Sequence, residues 1–419
     1  MISPQLEPSN LLYLPKNIKD LKKIVFLIGC GMIFWSCNSI VKTPEEIAKE
    51  IHEKVLTVDT HTDTPWALLR GDFDLSERHD FKKDHSRVDF PRMKEGGMDA
   101  IFMAAFVGQS NRNEEGNIKA KETITTIIDS IHSHLASRSD IAGIALTPED
   151  AYRLEKEGKR IVFIGIENGY AIGNNTHNIS EFYNKGARYI TLCHTKNNDI
   201  CDSSTDSTEY NGLSDFGREV VREMNRVGMM IDVSHMSDSS FYDVINLTKA
   251  PVIASHSCSK AICDNPRNLS DDMLKKLQQN GGVVQMCILS DYVKTPENYA
   301  QRDSAYDAIR IKYRNFENLT PEEDKAAENE WHSVDSLFPR QLATVSDMVD
   351  HIDHMVKIAG IDHVGIGTDF DGGGGLADCQ DVSEMGNITL ELVRRGYSEK
   401  DIRKIWGGNI MRVMREVQE

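Results

Sequence analysis

Eight short apolar runs, each closing on or near a polar residue, constrain the fold of this chain more than any other feature. They span 55–61, 99–106, 160–167, 188–194, 229–235, 251–256, 282–288 and 363–369. They are β-branched and nearly continuous, as strands covered on both faces are. Between them the pattern turns helical. Residues 118–136 place Ile124, Ile127, Ile128, Ile131 and Leu135 on one stripe. Thr147-Pro148-Glu149-Asp150 opens a helix with proline at its first position. Ser214, Ser270 and Ser398 stand where helix caps belong, and 346–359 stops at Gly360. Eight strands alternating with helices predict a (β/α)8 barrel of the TIM type, with a doubly wound sheet as the alternative. The barrel domain takes 55–419, after a tether and first helix at 38–54. One charged stretch, 294–340, interrupts the rhythm. Its Thr320-Pro321-Glu322-Glu323 has the form of a capped helix start. It is expected to be a helical insertion, serving as a lid, a dimer contact or a solvated excursion.

The chemistry is carried by what ends the strands. The first ends at His61 and Asp63, the third at Glu167 and the fourth at His194. The fifth, sixth and eighth end at His235, His256 and Asp369. In a barrel these ends converge on one rim, where active sites sit. Imidazoles and carboxylates gathered there suit divalent metal. Glu167 could bridge two cations, with His61 and Asp63 completing one site and His235 and His256 the other. A water between them would ionise near neutral pH. Asp369 is left as the proton shuttle.

Three other patterns imitate sites. His351 and His354 lie three apart on one helix, but Met348, Ile352, Met355 and Ala359 form its apolar face, which places both on the flank or outer side. Gly372 to Gly375 lacks the Lys-Ser/Thr of a phosphate loop. His132 and His134 read as solvated helix residues.

The N-terminus reads as a leader over 1–37. Lys16, Lys19, Lys22 and Lys23 precede the apolar run 24–35, and Ser36-Cys37 follows. The run is too short to span a bilayer. It resembles a bacterial lipoprotein signal with lipidation at Cys37; Cys30 fits the usual box but would leave an apolar tail on the mature chain. The expected location is the cell envelope, on the membrane through an N-terminal lipid anchor. A net charge of -17 argues against nucleic acid as a partner. No C-x-x-C pair supports a zinc ribbon. Cys193 and Cys287 sit in apolar runs as buried small hydrophobes, and in an exported protein Cys258 and Cys263 could bridge.

Seven stretches then form a larger pattern: Asp59-Thr60-His61-Thr62-Asp63, Gly165-Ile166-Glu167-Asn168-Gly169, Tyr189 through His194, Ile231-Asp232-Val233-Ser234-His235, Pro251 through Ser257, Asn265-Pro266-Arg267-Asn268, and Val364 through Gly372. In this order they resemble the membrane dipeptidase (renal dipeptidase) family of zinc peptidases, across 55–415. The resemblance implies a metallo-dependent hydrolase barrel, two zinc ions bridged by Glu167, and hydrolysis of dipeptides. It implies that His194 steadies the oxyanion, Arg267 grips the substrate carboxylate, Tyr292 lies near the substrate and Asp369 handles protons. A substrate held by its carboxylate rather than in a chiral pocket would include L-D as well as L-L dipeptides. A homodimer is expected. The loop 198–202 departs from the vertebrate pattern beside the substrate. Two readings compete. Another binuclear amidohydrolase, acting on N-acyl amino acids or other amides, would usually show His-x-His and a bridging lysine. A non-catalytic peptide-binding lipoprotein would be expected to have lost a ligand.

Overall fold

Each of the eight apolar runs contributes one parallel strand to a single sheet. The computed structural model describes residues 42–419 other than 72, 296–299, 317–318 and 339–340. The leader, with Cys30 and Cys37, lies outside the described residues. The strands are β1 Val58–Thr62, β2 Ala100–Phe106, β3 Ala142–Ile144, β4 Arg160–Glu167, β5 Ala187–Thr191, β6 Met230–Asp232, β7 Ile253–Ser257, β8 Val283–Met286 and β9 Val364–Ile366. Eight run in the order β1-β2-β4-β5-β6-β7-β8-β9, while β3 pairs with β4 outside that path. The ring closes thinly between β9 and β1, through the bridge Thr62–Phe370 and the Asp369 amide on the His61 carbonyl at 3.0 Å. This is a TIM-type barrel. Its extra strand, β3, was not expected from the sequence. The three residues Ala142-Gly143-Ile144 carry no apolar run and become a strand only by pairing with the first residues of β4.

Strict alternation along β2 and β4 divides the core in two. Ala100, Phe102, Ile161 and Phe163 join an inner cluster, while Ile101, Met103, Val162 and Ile164 face the helical layer. The C-terminal helix Asn409–Gln418 adds Met411, Met414 and Val417 to the inner cluster. That helix therefore fills the barrel from below and leaves the opposite rim for chemistry.

The caps sit where the sequence places them. Ser214, Ser270 and Ser398 accept amide hydrogens from the first helical turn, and Thr147 forms a full capping box with Asp150. Within 294–340 two helices, Ala300–Lys312 and Pro321–Leu337, make a hairpin with its own small core of Tyr306, Ile309, Tyr313, Ala327 and Val334. It meets the barrel through the Arg70–Glu328 ion pair at 3.0 Å and the stacked rings of His85 and His332. Both barrel partners belong to the segment that follows β1.

The six described cysteines are all free and buried, and the Cys287 thiol neighbours Cys258 rather than leaving Cys258 to pair with Cys263. His351 departs from expectation. It is fully buried, because it falls three residues after Met348 and four before Met355, inside the apolar stripe. His354 stays on the flank, 2.7 Å from Asp271. His134 is half-buried and accepts from the Leu75 amide at 3.1 Å. Among the described residues no helix is long and apolar enough to cross a membrane.

Candidate metal centre

Two of the six clustered donors reach the barrel mouth through irregular strands. Val58 lies in the inner cluster, so alternation would send His61, three residues on, outward. The β1–β2 register shifts between Asp59 and Thr62, and His61 turns inward. The same device acts on β7. Ile253 faces in, the register with β8 shifts between Ala254 and Ser257, and His256 joins His61 with ring centroids 3.8 Å apart. Bulges at barrel rims commonly re-aim a side chain in this way. Glu167 needs no bulge on the β2–β4 ladder, since Ile161, Phe163 and Glu167 share parity.

Two residues stand beyond strand ends in left-handed backbone: His235 (φ 70) and Asp369 (φ 63). Asn168, beside Glu167, does the same at φ 76. Non-glycine residues in that region cost about 1–3 kcal/mol each and need surroundings that enforce them. The Asp369 carbonyl accepts from Gly374 N at 2.7 Å, and the His235 carbonyl accepts from Ser204 N at 2.8 Å. Asn168 accepts from Tyr170 N and from the Asn198 amide.

Glu167 is the hub. Its Oε2 lies 3.6 Å from His61 Nε2, which is 3.7 Å from Asp63 Oδ2. Its Oε1 lies 3.0 Å from His235 Nε2 and 3.6 Å from His256 Nε2. Each carboxylate oxygen thus faces a different pair of donors. Three ligand triads fall within metal reach: His61–Asp63–Glu167, Glu167–His235–His256 and His61–His256–Asp369. His194 Nε2 is 3.8 Å from Glu167 Oε1, its ring edge-on to Phe106 and its Nδ1 3.3 Å from the Thr195 hydroxyl.

This donor set fits divalent cations. His61 Nε2 and Asp63 Oδ1 are buried without a hydrogen-bond partner. His235 Nε2 and His256 Nε2 are 2.8 Å apart, both turned to the same point. Burial pushes the Asp63 and Asp369 carboxyls up, and neighbouring acidic groups add to it. Burial also raises Glu167, but the imidazoles of His61, His194 and His235 outweigh it and hold that carboxyl well below its usual range. Burial, reinforced by nearby cationic groups, pushes His235 and His256 well below the usual imidazole value, toward the neutral form a metal requires.

Behind the donors stands a layer the sequence reading missed. The Tyr189 hydroxyl lies 2.9 Å from His61 Nδ1. Its ring passes over Gly165, where a Cβ would come within 2.1 Å of Tyr189 Cζ. Ser255 Oγ lies 2.8 Å from His256 Nδ1 and donates to Asp232 Oδ2 at 2.6 Å. With Nδ1–H spent on the hydroxyl, the His256 Nε2 lone pair points into the cluster. Asp232 also accepts from Thr191 Oγ1 and from the amides of Ser234 and Ser255. Asp59 plays the matching part at the thin seam, accepting from the Thr368 amide and hydroxyl at 2.8 and 2.5 Å. The Gly165–Tyr189 cross-strand pair and the aspartates just ahead of His61 and His235 were the available signals.

Arg267, on a loop, and Tyr292, in the short helix Ser290–Val293, sit together. The guanidinium lies 5.4 Å from the Tyr292 ring centroid, and Nη2 donates to the His256 carbonyl at 3.3 Å. Arg267 is buried, its Nε has no partner, and among the described residues no carboxylate pairs with it. A buried cation without a counter-charge is costly unless an anion arrives. Tyr292 has its phenol pushed up to about 12 by burial, against the pull of Arg267.

Residues 45–419 match the family model described as membrane dipeptidase (peptidase family M19). A dipeptidase, tcpJ, of Claviceps purpurea is 30% identical over 371 residues, covering 86% of this chain and 77% of its own. A dipeptidase, ataJ, of Aspergillus terreus is 30% identical over 399 residues, covering 89% and 87%. The crystal structure of a probable dipeptidase, PvdM, from Pseudomonas aeruginosa superposes with a TM-score of 0.75 at 30% identity, covering 90% of this chain and 98% of that one.

Proposed function

The chain belongs to the membrane dipeptidase family of metallopeptidases, and on that premise we propose that it is a zinc-dependent dipeptidase that holds its substrate by both free termini. The observation that carries this reading is a carboxylate shared between two donor pairs together with a buried cation that lacks a counter-charge. Glu167 offers one oxygen to each of two donor pairs, and the buried Arg267 lies against the carbonyl of His256 with no anion of its own. Two zinc ions would be held by His61 and Asp63 on one side, His235 and His256 on the other, and Glu167 between. Bound there, they supply Lewis acidity and lower the pKa of a water toward neutrality.

The chain's own groups do the rest. Arg267 takes the C-terminal carboxylate in a two-pronged grip. His194 presents Nε2–H to the developing oxyanion when the Thr195 hydroxyl donates to Nδ1. Asp369 delivers a proton to the departing amine. The second residue is gripped at its carboxylate and not by a chiral pocket, so L-D dipeptides are cleaved as well as L-L ones. Losing Arg267 should cost roughly 2–5 kcal/mol of transition-state binding, the scale of a buried charge pair that loses one partner. The test is kcat/KM on a dipeptide, its C-terminal amide and its N-acetyl form, for wild type and Arg267→Ala. Equal rates on acid and amide, or an acid-to-amide ratio unmoved by Arg267→Ala, would sink the two-ended clamp in favour of another amidohydrolase substrate.

For the leader, lipidation at Cys37 would place the enzyme on the cell envelope. A diacylated N-terminal Cys37 in the membrane fraction, seen by mass spectrometry, supports it. A soluble chain starting elsewhere refutes it.

A further inference from the structure

His351 takes no part in the metal cluster, yet it touches both the loop that bears Arg267 and the short helix Ser290–Val293 that bears Tyr292. Its helix, Val345–Ala359, packs against β8 and β9. The Ser259 amide donates to His351 Nδ1 at 3.0 Å, and Nε2 donates to the Val293 carbonyl at 2.8 Å. Ser259 begins the loop that returns through Arg267. It bridges Leu269, and Lys260 N donates to the Leu269 carbonyl at 2.9 Å. Val293 directly follows Tyr292. Asn268 adds a second tie, its Nδ2 reaching the carbonyls of Cys263 and Tyr292, both at 2.9 Å. The loop bearing Arg267 and the turn bearing Tyr292 are therefore pinned to one buried imidazole and to one another.

From this geometry we propose that His351 is a positioning residue for the substrate-carboxylate clamp, setting the Arg267 loop against Tyr292. The proposal rests on the clamp reading above and deepens it. Only an imidazole with its hydrogen on Nε2 makes both bonds, because Nδ1 must accept from Ser259. Burial lowers the His351 pKa and so favours that neutral form. An apolar ring of similar size would fill the space but leave a buried amide and a buried carbonyl unpaired. Each unpaired group is then driven to seek a new partner, and the loops shift. A guanidinium displaced by a fraction of an ångström still carries its charge but no longer meets the carboxylate squarely.

The experiment compares wild type, His351→Phe and Arg267→Ala on one dipeptide and its C-terminal amide, with zinc content measured for each. His351→Phe should raise KM for the free acid by about ten- to a hundredfold, the cost of a displacement imposed from outside the reacting groups. The acid-to-amide ratio of kcat/KM should fall with it, while kcat and zinc content stay near wild type. A purely structural role would lower both substrates alike and leave the ratio at its wild-type value, and that result overturns the proposal. If Arg267→Ala lowers the ratio and His351→Phe does not, the clamp stands and His351 is not its brace. If Arg267→Ala leaves the ratio unchanged, the clamp falls and the proposal with it. Should His351→Phe not fold, His351→Asn keeps an acceptor for Ser259 and loses the reach to Val293. A smaller fall in the ratio then supports the proposal, and an unchanged ratio overturns it.

Discussion

The two ends of the site are built on different principles. At the metal end, four of the six clustered donors lie on strands or within one residue of them, and His61 and His256 are each fixed from behind by a hydroxyl: Tyr189 for one, Ser255 with Asp232 for the other. At the clamp end, Arg267 stands on a loop and Tyr292 on the one-turn helix Ser290–Val293, and their support comes from a longer helix behind the sheet, through His351, and from Asn268. A cation tolerates little error in ligand distance, so its donors belong on the most rigid scaffold available. The carboxylate grip proposed above would need one guanidinium in one place, and a braced loop beside a braced one-turn helix would suffice for that.

If the two ends are separate in this sense, damage to each should read out differently. The largest effect is expected at the shared hub. Glu167→Ala removes the group that faces both donor pairs, so metal content should fall at both sites and kcat should drop by at least about 10²–10³, the scale of losing one preorganised charge-stabilising group. Metal analysis that still found two ions per chain would deny Glu167 its bridging place.

Next come the hydroxyls behind the ligands. Ser255→Ala and Tyr189→Phe should each weaken one cation by about 10- to 100-fold, as removal of an outer hydrogen bond to a metal-bound histidine does. Competition with a chelator reads this directly. Each variant should loosen a different ion, and neither should alter the acid-to-amide preference. His351→Phe should do the reverse. A variant that moved both readouts together would break the comparison and make the rim one mechanical unit.

The sequence was unequally informative about the two ends, for physical reasons. His61, Glu167, His235, His256 and Asp369 could be picked out because each closes an apolar run, and strand ends in a barrel must meet. Their inward aim could not be, because it depends on register shifts in β1 and β7 that strict alternation does not foresee. The carboxylate-gripping role expected of Arg267 comes from family resemblance alone, since a loop arginine has no periodicity to betray it. The spacing of the apolar residues sets His351 on the flank or outer side of its helix, and a finer reading of that helix corrects it. At 100° per residue it shares the stripe of Met348 and Met355, and a histidine in that stripe is buried and must find two partners. β3 was invisible because pairing, and not composition, makes it a strand.

The smallest effect keeps acid's action on the scaffold apart from its action on either end. His52 lies away from the rim, in a chain of bonds that defines its tautomer. The Trp406 indole donates to Thr389 Oγ1 at 2.8 Å, Thr389 Oγ1 lies 2.7 Å from His52 Nδ1, and His52 Nε2 donates to the Gly96 carbonyl at 2.8 Å. Burial lowers its pKa below the ordinary 6.5, against the pull of Gly96 O. The unfolded chain therefore takes up the proton first. The stability that His52 contributes is complete above pH 6.5 and is lost as pH falls from there toward the native value. Asp59 works in the opposite sense. Burial raises it to about 6, so the native state binds that proton first and gains stability as pH falls through 6 toward the unfolded value of 3.8. The wild-type profile mixes the two, and only a difference isolates His52. His52→Gln keeps a donor and an acceptor but cannot titrate. Between pH 7 and 5, wild type should lose about 1 kcal/mol more than this variant in denaturant unfolding, the net worth of one buried hydrogen bond. Equal losses would show that Thr389 turns its hydroxyl away at no cost. Acid-to-amide ratios measured in that window would then need no correction for the scaffold.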